Sequence, residues 1–125
     1  HSKVYSIPFE TGLFLRDLPD QEIGSQLAEL ARRSDKPEAV YVCEKTPNHV
    51  RHFRRIISLV PEARFVVPVR DPRDVVASYR RRGETAHVGI RQWLRAHQAI
   101  ESQRDLPLHI LSFEHLVSDP PLALE

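Results

Sequence analysis

The chain has a single cysteine, no long apolar stretch and almost no excess of basic residues. Its 125 residues include one cysteine, Cys43, and no methionine. A single cysteine excludes an intrachain disulfide framework. No apolar stretch approaches the roughly 20 residues that a membrane-spanning helix requires. The net charge is only +1, so the sequence lacks the basic excess that is typical of nucleic-acid-binding proteins.

The residues that are present predict a globular α/β domain. Hydrophobic residues make up 41% of the chain and charged residues 28%. Apolar runs predict strands at residues 4–7, 39–43, 64–69 and 108–111. Helical spacing of apolar residues predicts helices at about 21–33, 47–60, 72–82 and 88–103. Strands that alternate with helices favour a parallel sheet with helices on both faces, here in a single domain over residues 1–125.

Three helix starts follow from local chemistry. Asp20, Thr46 and Asp71 are residues of the type that accepts hydrogen bonds at a helix N-terminus. Pro47 and Pro72 follow two of them, at the first helical position that proline favours. In parallel sheets, ligands bind beyond the carboxyl ends of the strands. The segments that follow the predicted strands are therefore the candidates for function.

The segment RDPRDVVASY, residues 70–79, carries the clearest pattern. Arg70 leaves an apolar strand, Ser78 lies about two turns along the next helix, and Arg82 is one turn further on the same face. Two guanidinium groups and a hydroxyl suit a phosphate, because arginine forms paired, charge-assisted hydrogen bonds. A structural salt bridge between Arg70 and Asp74, with the later arginines on a solvated face, explains the spacing equally well.

Two other segments carry candidate catalytic groups. Lys45 follows the second strand, where its charge can stabilise a departing oxygen. The alternative is that residues 46–48, Thr-Pro-Asn, are an ordinary helix start. Glu10 follows the first strand, where a carboxylate can accept a proton from a hydroxyl or amine. A surface glutamate beside the turn at Gly12 is the alternative.

The histidines do not predict a metal site. There are seven of them, and only His49 and His52 share a helical face. A third ligand of plausible spacing is missing for that pair. Packing or exposure to solvent is the expected role of these side chains.

Together these segments resemble the sulfotransferase superfamily that uses 3′-phosphoadenosine 5′-phosphosulfate. EKTPNHV is similar to the Glu-Lys-Thr/Ser-Pro turn of heparan-type and bacterial members. PEARFVVPVRDPRDVVASYRRR resembles the family's 3′-phosphate segment, in which a serine follows the arginine by eight residues. HSKVYSIPFETGLF is similar to the segment that carries the catalytic base in tyrosylprotein and bacterial members, and LHILSFEHLVSDP resembles the late strand and the helix start after it. These segments are residues 44–50, 61–82, 1–14 and 108–120.

The resemblance implies a fold and a set of roles. The fold is α/β, a three-layer αβα parallel sheet of P-loop NTPase-like (sulfotransferase) type that is incomplete at both ends. Arg70 and Ser78 would bind the 3′-phosphate, with Arg82 as a third contact. Lys45 would lie near the bridging oxygen of the phosphosulfate, and Glu10 would be the base. The co-substrate would be 3′-phosphoadenosine 5′-phosphosulfate without a metal, and the acceptor a small molecule, glycan or peptide.

The sequence departs from the family pattern in three places. The family's first strand and its phosphate-binding loop would precede His1, and a late segment would follow Glu125. Phe113 stands where tyrosylprotein relatives have a tyrosine that reaches the cofactor. We therefore expect the 125-residue chain, made alone, to be inactive. The alternatives are a P-loop kinase-like phosphotransferase, whose Gly-rich loop the chain does not show, and a non-catalytic nucleotide-binding module.

Overall fold

A computed structural model describes residues 3–120 of the chain. It contains two compact units, His1–Pro61 and Glu62–Glu125. Each unit holds one pair of hydrogen-bonded parallel strands. Within the described residues, every helix is too short or too polar to cross a bilayer.

The first unit is a strand-helix-strand arrangement followed by short helices. Its elements are β1 (Val4–Ser6), a 3₁₀ helix (Leu13–Leu15), α1 (Asp20–Arg32), β2 (Tyr41–Cys43), a second 3₁₀ helix (Pro47–Arg51) and α2 (Phe53–Leu59). The strands pair in register from Val4 opposite Tyr41 to Ser6 opposite Cys43. Because the strands are parallel, the segments that lead to Glu10 and Lys45 leave the sheet at the same edge.

A small apolar core fixes the segment that follows β1. Leu13, Phe14 and Ile23 are buried, and the partly buried Leu18, Leu27, Ile56 and Leu59 pack against them. Full burial of a leucine or isoleucine side chain contributes about 1.5–3 kcal/mol. The first 3₁₀ helix is thereby held against α1 and α2, so the turn that contains Glu10 has one anchored end.

The second unit has longer elements. They are β3 (Phe65–Val69), α3 (Pro72–Arg81), α4 (Ala86–Glu101), β4 (Leu108–Ser112) and α5 (Phe113–Ser118). β3 and β4 pair from Phe65 opposite Leu108 to Val69 opposite Ser112. α3 and α4 approach closely at Gly89, where an added Cβ would lie 3.0 Å from the Cα of Val76.

The coarse fold prediction is confirmed: strands and helices alternate, and both strand pairs are parallel. Among residues 3–120, the four strands form two separate two-stranded sheets. The three-layer P-loop-like sheet and the single domain over residues 1–125 therefore stay predictions. Asp119-Pro120 also predicts the start of a further helix, which lies almost wholly outside the described residues.

Three local expectations were wrong. The apolar run at residues 39–43 predicted a buried strand, but Tyr41 of β2 is 68% exposed, and all three residues of β2 are exposed. The helix predicted over 47–60 is broken at His52, where φ is −123°. Asp20 is the first residue of α1 rather than its cap, and its carboxylate instead pairs with Arg55 at 3.0 Å.

Candidate functional site

The two residues predicted to be catalytic lie in contact at the carboxyl ends of β1 and β2. The Nζ atom of Lys45 donates a hydrogen bond to Oε1 of Glu10 across 2.6 Å. Both side chains are open to solvent, 71% exposed for Lys45 and 53% for Glu10. An exposed ion pair of this kind contributes only about 0.2–1 kcal/mol, so either partner can turn to a ligand at little cost.

Next to Lys45 in the sequence, the carboxylate of Glu44 binds three other side chains. Its Oε1 accepts hydrogen bonds from the Thr11 hydroxyl at 2.9 Å, the Thr11 N–H at 3.2 Å and the Thr46 hydroxyl at 2.5 Å. Its Oε2 lies 3.0 Å from Nδ1 of His49. Burial raises the pKa of Glu44, but the hydrogen bonds from Thr46 and Thr11 and the attraction of His49 outweigh it and lower the pKa overall. Glu44 is therefore held as a carboxylate.

The tautomer of His49 follows from its two hydrogen bonds. The N–H of Phe14 donates to Nε2 of His49 at 3.3 Å, so that nitrogen is an acceptor. The proton then lies on Nδ1, which donates to Glu44. The His49 ring is 4% exposed and meets the Phe14 ring edge-on, with the centroids 5.2 Å apart. His49 thus links Glu44 to the core of the first unit.

A groove of about 400 Å³ borders the turn that carries Glu10. Phe9 and Thr11, the residues on either side of Glu10, both line it. Leu13 and Leu30 add apolar surface, and Arg16 is one of its charged residues. The groove can take a ligand with an apolar body and polar groups.

In the second unit, Arg70 lies just after β3 with its guanidinium over the Phe113 ring, 4.8 Å from the centroid. The salt bridge to Asp74, which was the alternative interpretation of this segment, is formed, but it is long, at 3.5 Å. Nε of Arg70 is buried and has no hydrogen-bond partner within residues 3–120. The indole N–H of Trp93 donates to the carbonyl of Arg70 at 2.9 Å. Arg70 is therefore fixed at its main chain and retains an unused buried donor.

The turn after Arg70 is held by two carboxylates. Asp71 caps α3 by accepting from the N–H of Arg73 at 2.8 Å, as predicted. Hydrogen bonds from the Arg73 side chain and main chain lower the pKa of Asp71 to about 2. The N–H of Asp71 in turn donates to Glu114 at 2.9 Å, which lowers the pKa of Glu114. The turn is thereby tied to the start of α5.

Ser78 and Arg82 lie further along α3. Ser78 is half-buried, whereas Arg82 is exposed at the end of the helix with its guanidinium 4.3 Å from the centroid of the Tyr79 ring. Ten helical residues span about 15 Å, so Arg70 and Arg82 flank opposite ends of α3. A shared ligand would require the Arg82 side chain to reach back along the helix. Its role as a third contact stays a prediction.

Comparison with known families decides the class of the protein. The sulfotransferase family matches residues 14–125. The chain belongs to the sulfotransferase family. Comparison with curated proteins found no match, and comparison with solved structures found none. The matched part of this sulfotransferase includes Lys45 and Arg70, while Glu10 lies just before it.

The sequence did not reveal every residue that shapes the candidate site of this sulfotransferase. No role was predicted for Glu44 or Thr11, the neighbours of Lys45 and Glu10. For His49, packing or exposure to solvent was expected, and the structure adds its contact with Glu44. The sequence feature that could have indicated a role for Glu44 is its position directly after the second strand, with His49 five residues later. Within residues 3–120, no group of three histidine, cysteine, aspartate or glutamate side chains could hold a metal ion.

Proposed function

We propose that this sulfotransferase moves a sulfuryl group from 3′-phosphoadenosine 5′-phosphosulfate to a hydroxyl or amine, with Glu10 as the base and Lys45 as the cation at the leaving oxygen. The contact between the Glu10 carboxylate and the Lys45 ammonium at 2.6 Å carries the proposal. Transfer requires a proton acceptor and a positive charge close to one sulfur atom. Those two groups are adjacent here, in a chain of the sulfotransferase family.

In the proposed transfer, every proton and electron pair is accounted for without a metal. The acceptor O–H or N–H loses its proton to Glu10, and the freed electron pair forms the new bond to sulfur. The bond between sulfur and the bridging phosphate oxygen breaks, and its electrons remain on that oxygen. Lys45 stabilises this negative charge once it has left the carboxylate of Glu10. The products are the sulfated acceptor, 3′-phosphoadenosine 5′-phosphate and protonated Glu10.

The role assigned to Arg70, Ser78 and Arg82 is binding of the donor's 3′-phosphate. The buried Nε donor of Arg70 supports this role, since a phosphate oxygen would give it the partner that it lacks among residues 3–120. Arg70 also has a long, exposed ion pair that a doubly charged phosphate can displace. The groove beside Glu10 is the proposed acceptor site.

The proposal is tested by sulfuryl transfer from labelled donor to a panel of phenols, glycans and peptides, with the full-length protein. We expect Glu10→Gln to lower turnover about 100- to 10,000-fold while donor affinity stays unchanged, because the amide keeps the shape but accepts no proton. Glu38→Gln, which changes an exposed glutamate before β2, is the matched control and should be fully active. Near-normal turnover by Glu10→Gln would show that another group takes the proton.

A further inference from the structure

The segments that carry the proposed catalytic pair are joined mainly by side chains. The ladder between β1 and β2 continues to a hydrogen bond from the Ile7 N–H to the Cys43 carbonyl, at 2.9 Å. Further along the two segments, Glu44 accepts both hydrogen bonds from Thr11. The Gly12 N–H donates to the Thr46 hydroxyl at 3.2 Å. The main chain alone therefore does not fix the spacing of the two segments near Glu10 and Lys45.

We propose that Glu44 is a positioning residue that holds Glu10 and Lys45 at reacting distance; this inference rests on the proposed function of that pair. Glu44 directly precedes Lys45, and Thr11 directly follows Glu10. Each hydrogen bond between Glu44 and Thr11 therefore fixes the main chain on both sides of the site at once. Transfer depends steeply on such spacing, since a displacement of 1 Å costs on the order of 100-fold in rate.

The hydrogen-bond count separates this role from that of a base. Four donors from three residues surround the two oxygens of Glu44: the N–H and hydroxyl of Thr11, the hydroxyl of Thr46 and Nδ1–H of His49. Three of these donors meet Oε1, and Nδ1–H of His49 meets Oε2, so both oxygens of the carboxylate are bound to protein donors. To take a substrate proton, Glu44 would have to give up contacts of this network. Its contribution passes through the residues that it holds.

The partners of Glu44 differ from the Glu10–Lys45 pair in burial. Thr11, Thr46 and His49 are buried, whereas Glu10 and Lys45 are exposed. Hydrogen bonds to a carboxylate are about twice as strong as neutral ones, and shielding from water strengthens them further. The buried network thus keeps the spacing of the main chain constant. The exposed pair of Glu10 and Lys45 remains free to exchange its own ion pair for substrate.

The decisive experiment is a double-mutant cycle on turnover in the full-length protein, with Glu44→Gln and Glu10→Gln. We expect Glu44→Gln to lower kcat on the order of 100-fold with less than about threefold change in KM for the donor. In the Glu10→Gln background the same change should cost at least about tenfold less, because Lys45 is then the only member of the pair left to position. Glu101→Gln, which breaks an exposed ion pair to Arg104 at 2.7 Å, is the control and should change nothing.

Failure of the proposed base and failure of the proposed positioning role would give different results. If Glu10→Gln is active, the proposed base is wrong. If Glu10→Gln is inactive but Glu44→Gln retains its kcat, only the positioning role is overturned. Equal losses from Glu44→Gln in both backgrounds would also overturn it, because the effect would be independent of Glu10. Should Glu44→Gln fail to fold, Thr11→Val removes one donor to Glu44 and must lower kcat with the same dependence on Glu10.

Discussion

The indole N–H of Trp93 donates to the main-chain carbonyl of Arg70, joining α4 to the end of β3 across 23 residues of sequence. A single hydrogen bond contributes about 0.5–1.5 kcal/mol, or roughly two- to tenfold in an equilibrium. We expect Trp93→Phe to weaken binding of 3′-phosphoadenosine 5′-phosphate by that factor, because it keeps an aromatic ring but frees the carbonyl. Calorimetry measures the affinity, with Gln98→Ala on the same helix as the control. Unchanged affinity in Trp93→Phe would show that this bond does not position Arg70.

Replacement of Arg70 tests the proposed donor site directly. We expect Arg70→Ala to weaken binding of 3′-phosphoadenosine 5′-phosphate by roughly ten- to a hundredfold, the value of a charge-assisted hydrogen bond of about 1.5–3 kcal/mol. Binding of adenosine 5′-phosphate, which lacks the 3′-phosphate, should change little. Arg70→Lys keeps the charge without the paired donors, so its affinity for 3′-phosphoadenosine 5′-phosphate should lie between those of the wild-type protein and Arg70→Ala. Equal weakening of both nucleotides would assign Arg70 to another part of the donor.

The low pKa of Asp71 predicts a specific loss of stability in acid. This pKa is about 2 in the folded protein, below the ordinary value of 3.8. The stabilisation that the ionised Asp71 side chain gives to the folded protein is therefore present above about pH 4 and is lost as the pH falls towards 2. We expect the stability difference between the wild-type protein and Asp71→Asn to shrink over that range in denaturant titrations. High salt should reduce the difference, since Asp71 and Arg73 are near the surface.

The titration itself can be followed by NMR at the carboxyl carbon of Asp71. Because the hydrogen bonds of Arg73 lower this pKa, Arg73→Gln should move the midpoint back towards 3.8. A wild-type midpoint already near 3.8 would contradict the observed pairing of Asp71 with Arg73.

Two glycines in helices should respond oppositely to alanine. At Gly89, a new Cβ would lie 3.0 Å from the Cα of Val76 and 3.3 Å from the Cβ of Tyr79. α3 and α4 would have to separate, so we expect Gly89→Ala to lower the free energy of unfolding by about 1–3 kcal/mol. Gly24 in α1 has nothing within 4 Å of that position, and Gly24→Ala should stabilise by roughly 0.5–1 kcal/mol. Urea denaturation measures both, and a neutral Gly89→Ala would mean that the helices pack less closely.

Much of the second unit could be predicted because its determinants are local. α3 begins at Pro72 after the Asp71 cap and ends at Arg81, one residue before the predicted end. β3 covers Phe65–Val69, within one residue of the apolar run that predicted it. Capping and strand propensity depend on neighbours within a few residues, so a single segment contains the necessary information.

The hydrogen-bond network around Glu44 could not be predicted in that way. Thr11 and Glu44 are 33 residues apart, and local spacing does not say which side chains meet over that distance. The same contacts explain the error at residues 47–60. Thr46 has the right chemistry for a helix cap, but its hydroxyl donates to Glu44 and the helix starts as a 3₁₀ turn.

Pro68 in β3 has a consequence for the edge of that strand. The Phe65 N–H donates towards β4, to the carbonyl of Pro107, and alternate residues of a strand direct their N–H groups to opposite sides. Pro68 therefore belongs with Val66 to the set that points away from β4, and the ladder between β3 and β4 loses no donor. A further strand laid along the outer edge would find a donor at Val66 and none at Pro68. A strand paired along this edge would therefore lose a hydrogen bond at Pro68, two residues before Arg70. The end of β3 would then stay accessible to a ligand.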